Sequence, residues 1–411
     1  MNRRVVITGM GAVTPIGSTA REFWQNAKNG VNGIGKITRF DTEGFKANLA
    51  AEVKGFAPEN YMNPKDAKRM DLYCQYAMAA AHMAVEDSGL DTASLDSDRF
   101  GVMIGSGIGG LGIIEEQVVR MTEKGPGRVS PLFIPMAIAN MASGNVAIRY
   151  GARGPCAAIV TACAAASNSI GEAFRYIKHG YADVMITGGA EASITKIGIA
   201  GFSNLTALSA SDDPERASIP FDKERSGFVM GEGSGILILE DLEAARSRGA
   251  RIYAEVAGYG ANCDAYHMTA PQPDGEGAAK AMAMAVAEAG LQPSDIGYIN
   301  AHGTSTPHND VTETVAIKKL FGEHARKLLI SSTKSMTGHL LGATGAIESI
   351  AAVMAIVDGV APPTIGFKQP DPECDLNYTF NTAIERDITV SLNNSFGFGG
   401  HNAVLCFKKY S

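Results

Sequence analysis

A thiol and two imidazoles stand where predicted elements begin or end. Cys163 closes the short apolar run Ile159-Val160-Thr161-Ala162 and opens a small-residue block leading into the helical pattern Ile170, Phe174, Ile177. His302 lies in Asn300-Ala301-His302-Gly303-Thr304-Ser305-Thr306, directly after a predicted strand. His339 ends Ser331-Ser332-Thr333-Lys334-Ser335-Met336-Thr337-Gly338-His339, between a predicted strand and a predicted helix. Ser395-Phe396-Gly397-Phe398-Gly399-Gly400 sets an aromatic side chain in a glycine-rich loop. A helix N-terminus carries partial positive charge and unpaired N–H groups, which stabilise a thiolate. The expectation is a strand-to-helix corner at Cys163, with a thiol pKa below the usual ~8.5. Imidazoles beside the thiol would donate hydrogen bonds to an oxyanion. The residues therefore point to cysteine acyl-enzyme chemistry. Taken alone, they leave acyl transfer and Cys–His hydrolysis both open.

The elements that must position these groups alternate between strand and helix, which indicates α/β layers. Strands are expected at Arg4–Thr8, Phe100–Ile104, Ala182–Gly188 and Ser234–Glu240, with Gly9-Met10-Gly11 as a turn. Helices are expected at Ser18–Asn29, Leu242–Arg248 and, as one long element, Pro64–Gly89. Gly105-Ser106-Gly107-Ile108-Gly109-Gly110 matches a dinucleotide-binding spacing, but no βαβ unit with an acidic residue follows at the required distance. Its glycines read as permitting close packing. Near Gly249 the pattern restarts. Ile252–Val256 followed by Gly258-Tyr259-Gly260 echoes Val5–Thr8 followed by Gly9-Met10-Gly11. The second part then offers strands at Ile296–Asn300, Leu328–Ser331, Thr389–Asn394 and Ala403–Lys408, and helices at Glu276–Gly290 and Leu340–Val357.

Composition narrows the function classes. A chain of 411 residues, 45% hydrophobic and 19% charged, is ample for a large core. The net charge of −7 argues against general nucleic-acid binding. Six cysteines without a CxxC pair imply a reducing, cytoplasmic setting and no zinc site. The N-terminal residues lack the apolar core of a signal peptide, and no apolar run of ~18 residues is evident, so neither leader nor membrane span is expected. His82, His179, His308 and His324 read as structural or exposed.

With its motifs assembled, the chain resembles the β-ketoacyl-acyl carrier protein synthases of the elongating, synthase II type. The resemblance runs nearly end to end. It is carried by Thr161-Ala162-Cys163, the Asn300–Thr306 and Lys334–His339 stretches, and Phe396-Gly397-Phe398-Gly399-Gly400. It implies a thiolase-like fold of two similar halves, 1–249 and 250–411, in a five-layered αβαβα arrangement, usually as a homodimer. It implies a decarboxylative Claisen condensation in which acyl and malonyl groups arrive on acyl carrier protein. Cys163 would carry the acyl group, and His302 and His339 would stabilise the enolate. The Cys163 and Phe398 N–H groups would form the oxyanion hole. Lys334 would be supported by Glu348, and Phe398 would gate malonyl entry.

The same resemblance implies Thr304, Thr306 and Thr269 on the pantetheine arm. Ile108, Phe133 and Phe202 would line the acyl channel. Lys65, Lys68, Arg69, Lys124 and Arg128 would receive an acidic carrier, their charge mainly aiding encounter. No soluble cofactor is implied beyond the carrier's 4'-phosphopantetheine arm, and relatives suggest a monovalent cation near Glu348. Two positions depart from many relatives: Ala164-Ala165-Ala166, and His401 in place of Thr. The alternatives are a synthase I-like enzyme or a polyketide ketosynthase. An initiating synthase would carry Cys-His-Asn, a thiolase a second catalytic cysteine, and a chain-length partner no nucleophile.

Overall fold

The computed structural model describes residues 3–411. Ten strands share one sheet. In chain order they are β1 (Val5–Val13), β2 (Phe100–Gly105), β3 (Cys156–Ala157), β4 (Val184–Glu191), β5 (Gly233–Asp241), β6 (Ala254–Cys263), β7 (Tyr298–Asn300), β8 (Leu329–Ser331), β9 (Val390–Gly397) and β10 (His401–Lys408). Across the sheet they lie β8-β7-β9-β10-β6-β1-β5-β4-β2-β3. Counted outward from the antiparallel β6–β1 seam, each set of five follows the order first, fifth, fourth, second, third. Strand directions repeat as well. The first two pairings are antiparallel and the last two parallel on both sides.

Five long helices complete the layers: α1 (Leu72–Ser88), α2 (Ala165–Lys178), α3 (Glu276–Glu288), α4 (Pro307–Phe321) and α5 (Thr344–Asp358). α1 covers β1, β4 and β5 on one outside, and α3, with α4 beside it, covers β6 and β10 on the other. α2 and α5 pack on each other and on strands of both sets. The result is five layers, helix, strands, helix, strands, helix, in which the two strand layers are the two sets of five joined at the β6–β1 seam. A helix that is apolar nearly all round must be buried, and α5 is. Residues Leu341–Asp358 do reach the length and composition of a membrane span, contrary to the sequence expectation. They are 83% buried inside the protein, as the core of a globular fold requires.

Two expectations about local structure fail for physical reasons. Gly9-Met10-Gly11 is not a turn; β1 runs straight through it. A Cβ on Gly9 would lie 2.2 Å from the Ala84 carbonyl oxygen, and one on Gly11 2.0 Å from that of Ala80. These glycines let α1 rest directly on the strand. Gly258 and Gly260 do the same for α3, at 2.1 Å from the Ala285 oxygen and 2.0 Å from the Ala281 oxygen. The repeated Gly-x-Gly is therefore a repeated helix-on-strand contact. The helix expected over Pro64–Gly89 is two, Pro64–Ala67 and α1, because Asn63 caps the first and Asp71 the second. Lys68 and Arg69 fall in the break.

Replacing Gly11 by Ala should cost about 1–3 kcal/mol in urea denaturation, because the strand and helix must part. Gly201→Ala, on the helix Lys196–Asn204 with nothing within 4 Å of the added carbon, should instead stabilise by about 0.5–1 kcal/mol.

Candidate active site

No strand leads into Cys163. The chain approaches as a loop, turns through Ala162 in the left-handed region at φ +50, and makes a short 3-10 turn, Ala162–Ala164, before α2. Asn168 donates to the Thr161 hydroxyl at 2.7 Å and fixes the approach. The second set of strands repeats the device. Leu341 has φ +48, and the 3-10 turn Leu341–Ala343 precedes α5. Non-glycine residues in this region cost on the order of 1–3 kcal/mol, so surrounding packing must impose them.

The two turns face one another and bring Cys163 Sγ to 3.0 Å from His339 Nε2. His339 Nδ1 is 2.8 Å from the Thr344 hydroxyl, which turns the ring toward the thiol. Its backbone N–H donates to Val229 at 2.7 Å. His302 follows β7, and its ring stands nearly perpendicular to that of His339, centroids 5.4 Å apart. Ligating atoms of Cys163, His302 and His339 all lie within 4.8 Å of one another. Buried Lys334 donates to Glu348 Oε1 at 2.6 Å and to the carbonyl oxygen of His302. The expected Lys334–Glu348 partnership is thus present.

Electrostatics overturn one expectation. Burial pushes the Cys163 thiol up to about 11; the charge of Lys334 and the N–H of Phe398 oppose this without offsetting it. The cause is that the turn beneath the sulfur is packed rather than open to water. Burial, then the Lys334 charge, hold both imidazoles well below their usual range. These shifts favour the neutral forms of the thiol and of both imidazoles. Glu348 is pulled up to about 7 by burial, against the pull of Lys334.

These groups head a cavity of about 250 Å³. Thr269, Thr304 and Thr306 line it, as do Phe202 and Phe398, with the Thr304 and Thr306 hydroxyls 2.8 Å apart. Ile108 stands behind that wall, in an apolar cluster with Phe202, Phe228 and Leu341. Phe133 lies outside the cavity lining, on the short helix Phe133–Ala137. Lys65, Lys68, Arg69, Lys124 and Arg128 are exposed and likewise outside it. Arg69 borders a separate groove with Met62, Met70, Met78 and Arg149. His308, read as structural or exposed, is exposed and sits at the cavity mouth. His401 begins β10.

Sequence reasoning missed the carboxylate that seats His302. Glu313 on α4 accepts the backbone N–H groups of His302 and Gly303 at 2.9 and 2.8 Å, and Asn394 donates to it at 2.9 Å. A glutamate in a polar helical stretch reads as solvent-facing, so only the Gly303 turn hinted at a buried acceptor. Thr344 and Phe228, whose ring edge meets His339 at 5.2 Å, were missed too.

A thiol and two histidines converging between two like halves of a thiolase-like fold define a condensing acyltransferase. Family models for "Beta-ketoacyl synthase, N-terminal domain" and "Beta-ketoacyl synthase, C-terminal domain" match residues 2–245 and 253–368, and the chain belongs to that family. It is 56% identical over 409 residues to the 3-oxoacyl-[acyl-carrier-protein] synthase 2 of Synechocystis, covering 99% of this chain and 98% of that one. The synthase 2 of Staphylococcus aureus strain COL is also 56% identical, over 100% and 99%. A β-ketoacyl synthase from Burkholderia phymatum superposes with TM-score 0.92 at 35% identity, over the whole of both chains. A type II polyketide ketosynthase solved with its acyl-carrier protein gives TM-score 0.93 at 39% identity, again over both whole chains. The chain is a condensing enzyme of fatty-acid elongation.

Alkylation of Cys163 by iodoacetamide should speed up steadily with pH through the reference range of ~8.5, since the folded thiol titrates above it. A rate that levels off below neutrality, followed by mass spectrometry, would show a thiolate at rest instead.

Proposed function

We propose that this chain elongates acyl groups in two stages, with Cys163 as the nucleophile. The observation that carries the reading is the 3.0 Å contact of Cys163 Sγ with a neutral imidazole, at the head of a partly apolar cavity. The sulfur attacks the carbonyl of an acyl thioester on acyl carrier protein. The carrier sulfur leaves and takes up the proton that the thiol loses. The N–H groups of Cys163 and Phe398, which both bear on the sulfur, hold the oxyanion. Malonyl-carrier protein enters next. As its C–C bond breaks and carbon dioxide departs, the electron pair forms an enolate, whose oxygen accepts hydrogen bonds from His302 and His339. The enolate carbon attacks the acyl-Cys163 carbonyl, the bond from that carbonyl to Sγ breaks, the sulfur leaves as a thiolate and takes a proton from solvent, and the β-ketoacyl chain departs on the carrier. Neutral imidazoles suit this step, since they donate without needing to be protonated at working pH.

Thr304, Thr306 and Thr269 would hold the 4'-phosphopantetheine arm, the only cofactor-like group and one that arrives on the carrier. Phe202, Ile108 and Phe133 would line the acyl channel, Phe133 beyond the cavity described above. Phe398 would gate malonyl entry, on a loop where Gly399 and Gly400 both have positive φ. Lys65, Lys68, Arg69, Lys124 and Arg128 would meet an acidic carrier. Residues 1–249 would act as the nucleophile half and 250–411 as the histidine half. Asn300, Glu348, Asn393 and Asn394 each bury an unpaired side-chain oxygen. That all-oxygen set suits a monovalent cation, whose charge would add to that of Lys334 beside the buried Glu348. β3 is an exposed sheet edge, and Leu132, Ile134, Ile138 and Val160 are exposed apolar residues. Such an edge and surface suit a homodimer. The working compartment would be the cytoplasm.

Cys163→Ala should abolish transfer of the acyl group onto the protein yet leave malonyl decarboxylation measurable; retained condensation would remove Cys163 from its role. His302→Ala or His339→Ala should slow decarboxylation by about 10²–10³-fold, more than it slows acylation. Lys65→Glu with Arg69→Glu should raise the KM for acyl carrier, most at low ionic strength. A KM unchanged at low salt would place the carrier elsewhere.

A further inference from the structure

Glu191 ends β4, is fully buried, and has no part in the steps above. Among the described residues no Lys, Arg or His side chain lies within ion-pair distance of it. Its Oε2 accepts the N–H of Gly107 at 2.7 Å and that of Gly342 at 3.0 Å. Its Oε1 is 3.2 Å from each of the Ser106 and Ser193 hydroxyls. Ser106 Oγ also accepts the N–H of Gly109 at 3.0 Å. Four donors satisfy a carboxylate that no cation neutralises, and burial still pulls it up to about 7.

Its two backbone partners belong to different loops, one from each set of strands. Both sit beside the apolar wall of the cavity. Gly107 precedes Ile108, and Gly342 follows Leu341 at its left-handed turn. Ile108, Leu341, Phe202 and Phe228 share one apolar cluster, and Leu341 lines the cavity two residues after His339, the thiol's imidazole partner. The loops are in backbone contact: a Cβ on Gly342 would lie 2.1 Å from Gly107 N. A shared acceptor holds the two N–H groups turned to the same point at that spacing.

We infer that Glu191 is a positioning residue for the acyl channel, its carboxylate clamping the Ile108 loop to the Leu341 turn. This rests on the acyl-Cys163 reading and adds to it the residue that sets the channel wall. Loosening the clamp displaces Ile108 and Leu341 without touching the donors aimed at the enolate. Long acyl chains, which use the wall, lose more than short ones. Reach matters rather than charge. A glutamine can keep its amide oxygen on Gly107 and Gly342 while the serine hydroxyls turn to accept from its NH₂ group. An aspartate keeps the charge but falls short by a methylene.

The test compares Glu191→Ala, Glu191→Asp and Glu191→Gln, each first checked for a cooperative thermal transition. For each, kcat/KM is measured with acetyl-, octanoyl- and dodecanoyl-carrier protein, alongside malonyl decarboxylation. The alanine variant should lose about tenfold or more on dodecanoyl relative to acetyl carrier, mainly in KM, with decarboxylation within about twofold of the parent. The aspartate variant should lose in the same direction by about threefold, and it decides the matter if the alanine variant does not fold. The glutamine variant should restore the parent profile. An equal loss at every chain length, or no loss, would overturn the proposal. A parent enzyme that forms no acyl-Cys163 at all would overturn the reading beneath it instead.

Discussion

The site depends on an ammonium group held out of water. Lys334 and Glu348 are both essentially inaccessible, and a buried charge is tolerated only where its partners are fixed and its hydrogen bonds complete. Here the ammonium group spans two elements. It joins the carboxylate of α5 to the carbonyl of His302, two residues after β7. That places the positive charge behind both imidazoles, where it adds to burial in disfavouring their protonation. It also links the stretch that carries His302 to the helix that follows His339. Removing either end would leave an uncompensated charge in the core, so the geometry of the donors and the stability of the centre are one matter.

Around that pair the chain uses one plan twice. Each set of five strands has the same order and directions, and each has a glycine pair that seats an outer helix on its first strand. Each sends a left-handed residue, Ala162 or Leu341, into a 3-10 turn and a central helix. The division of labour comes from what stands after that residue: Cys163 in one case, Gly342 in the other. A side chain at Gly342 would strike Gly107, so the second turn has room for backbone alone.

Much of this was legible in the sequence because the signals were local. Strand and helix alternation, the glycine echo at Gly258 and Gly260, and the stretches around Cys163, His302 and His339 all lie in short windows. The Lys334–Glu348 pairing came from family resemblance. What escaped depends on distant residues meeting. Glu313 and Glu191 are ordinary acidic residues until the fold brings backbone N–H groups to them. The thiol's pKa was misjudged because a helix terminus is visible in sequence, whereas the packing that desolvates it is not. Gly9 and Gly11 read as a turn in sequence because glycine marks both turns and close contacts, and only the partner helix distinguishes them.

The uncharged thiol at 163 bears on the protein's endurance as well as its chemistry. Peroxide and small disulfides react with the thiolate form, and they do so at solvent-reachable sulfurs of low pKa. A sulfur held toward its protonated form, on a packed turn at the head of the cavity, offers them little. On the proposed mechanism its reactivity would be released by donors that act on the carbonyl of a docked thioester, so the sulfur would be strong toward its own substrate and sluggish toward stray oxidants. The exposed thiols of Cys156 and Cys263 lie on the surface, where such oxidants arrive first.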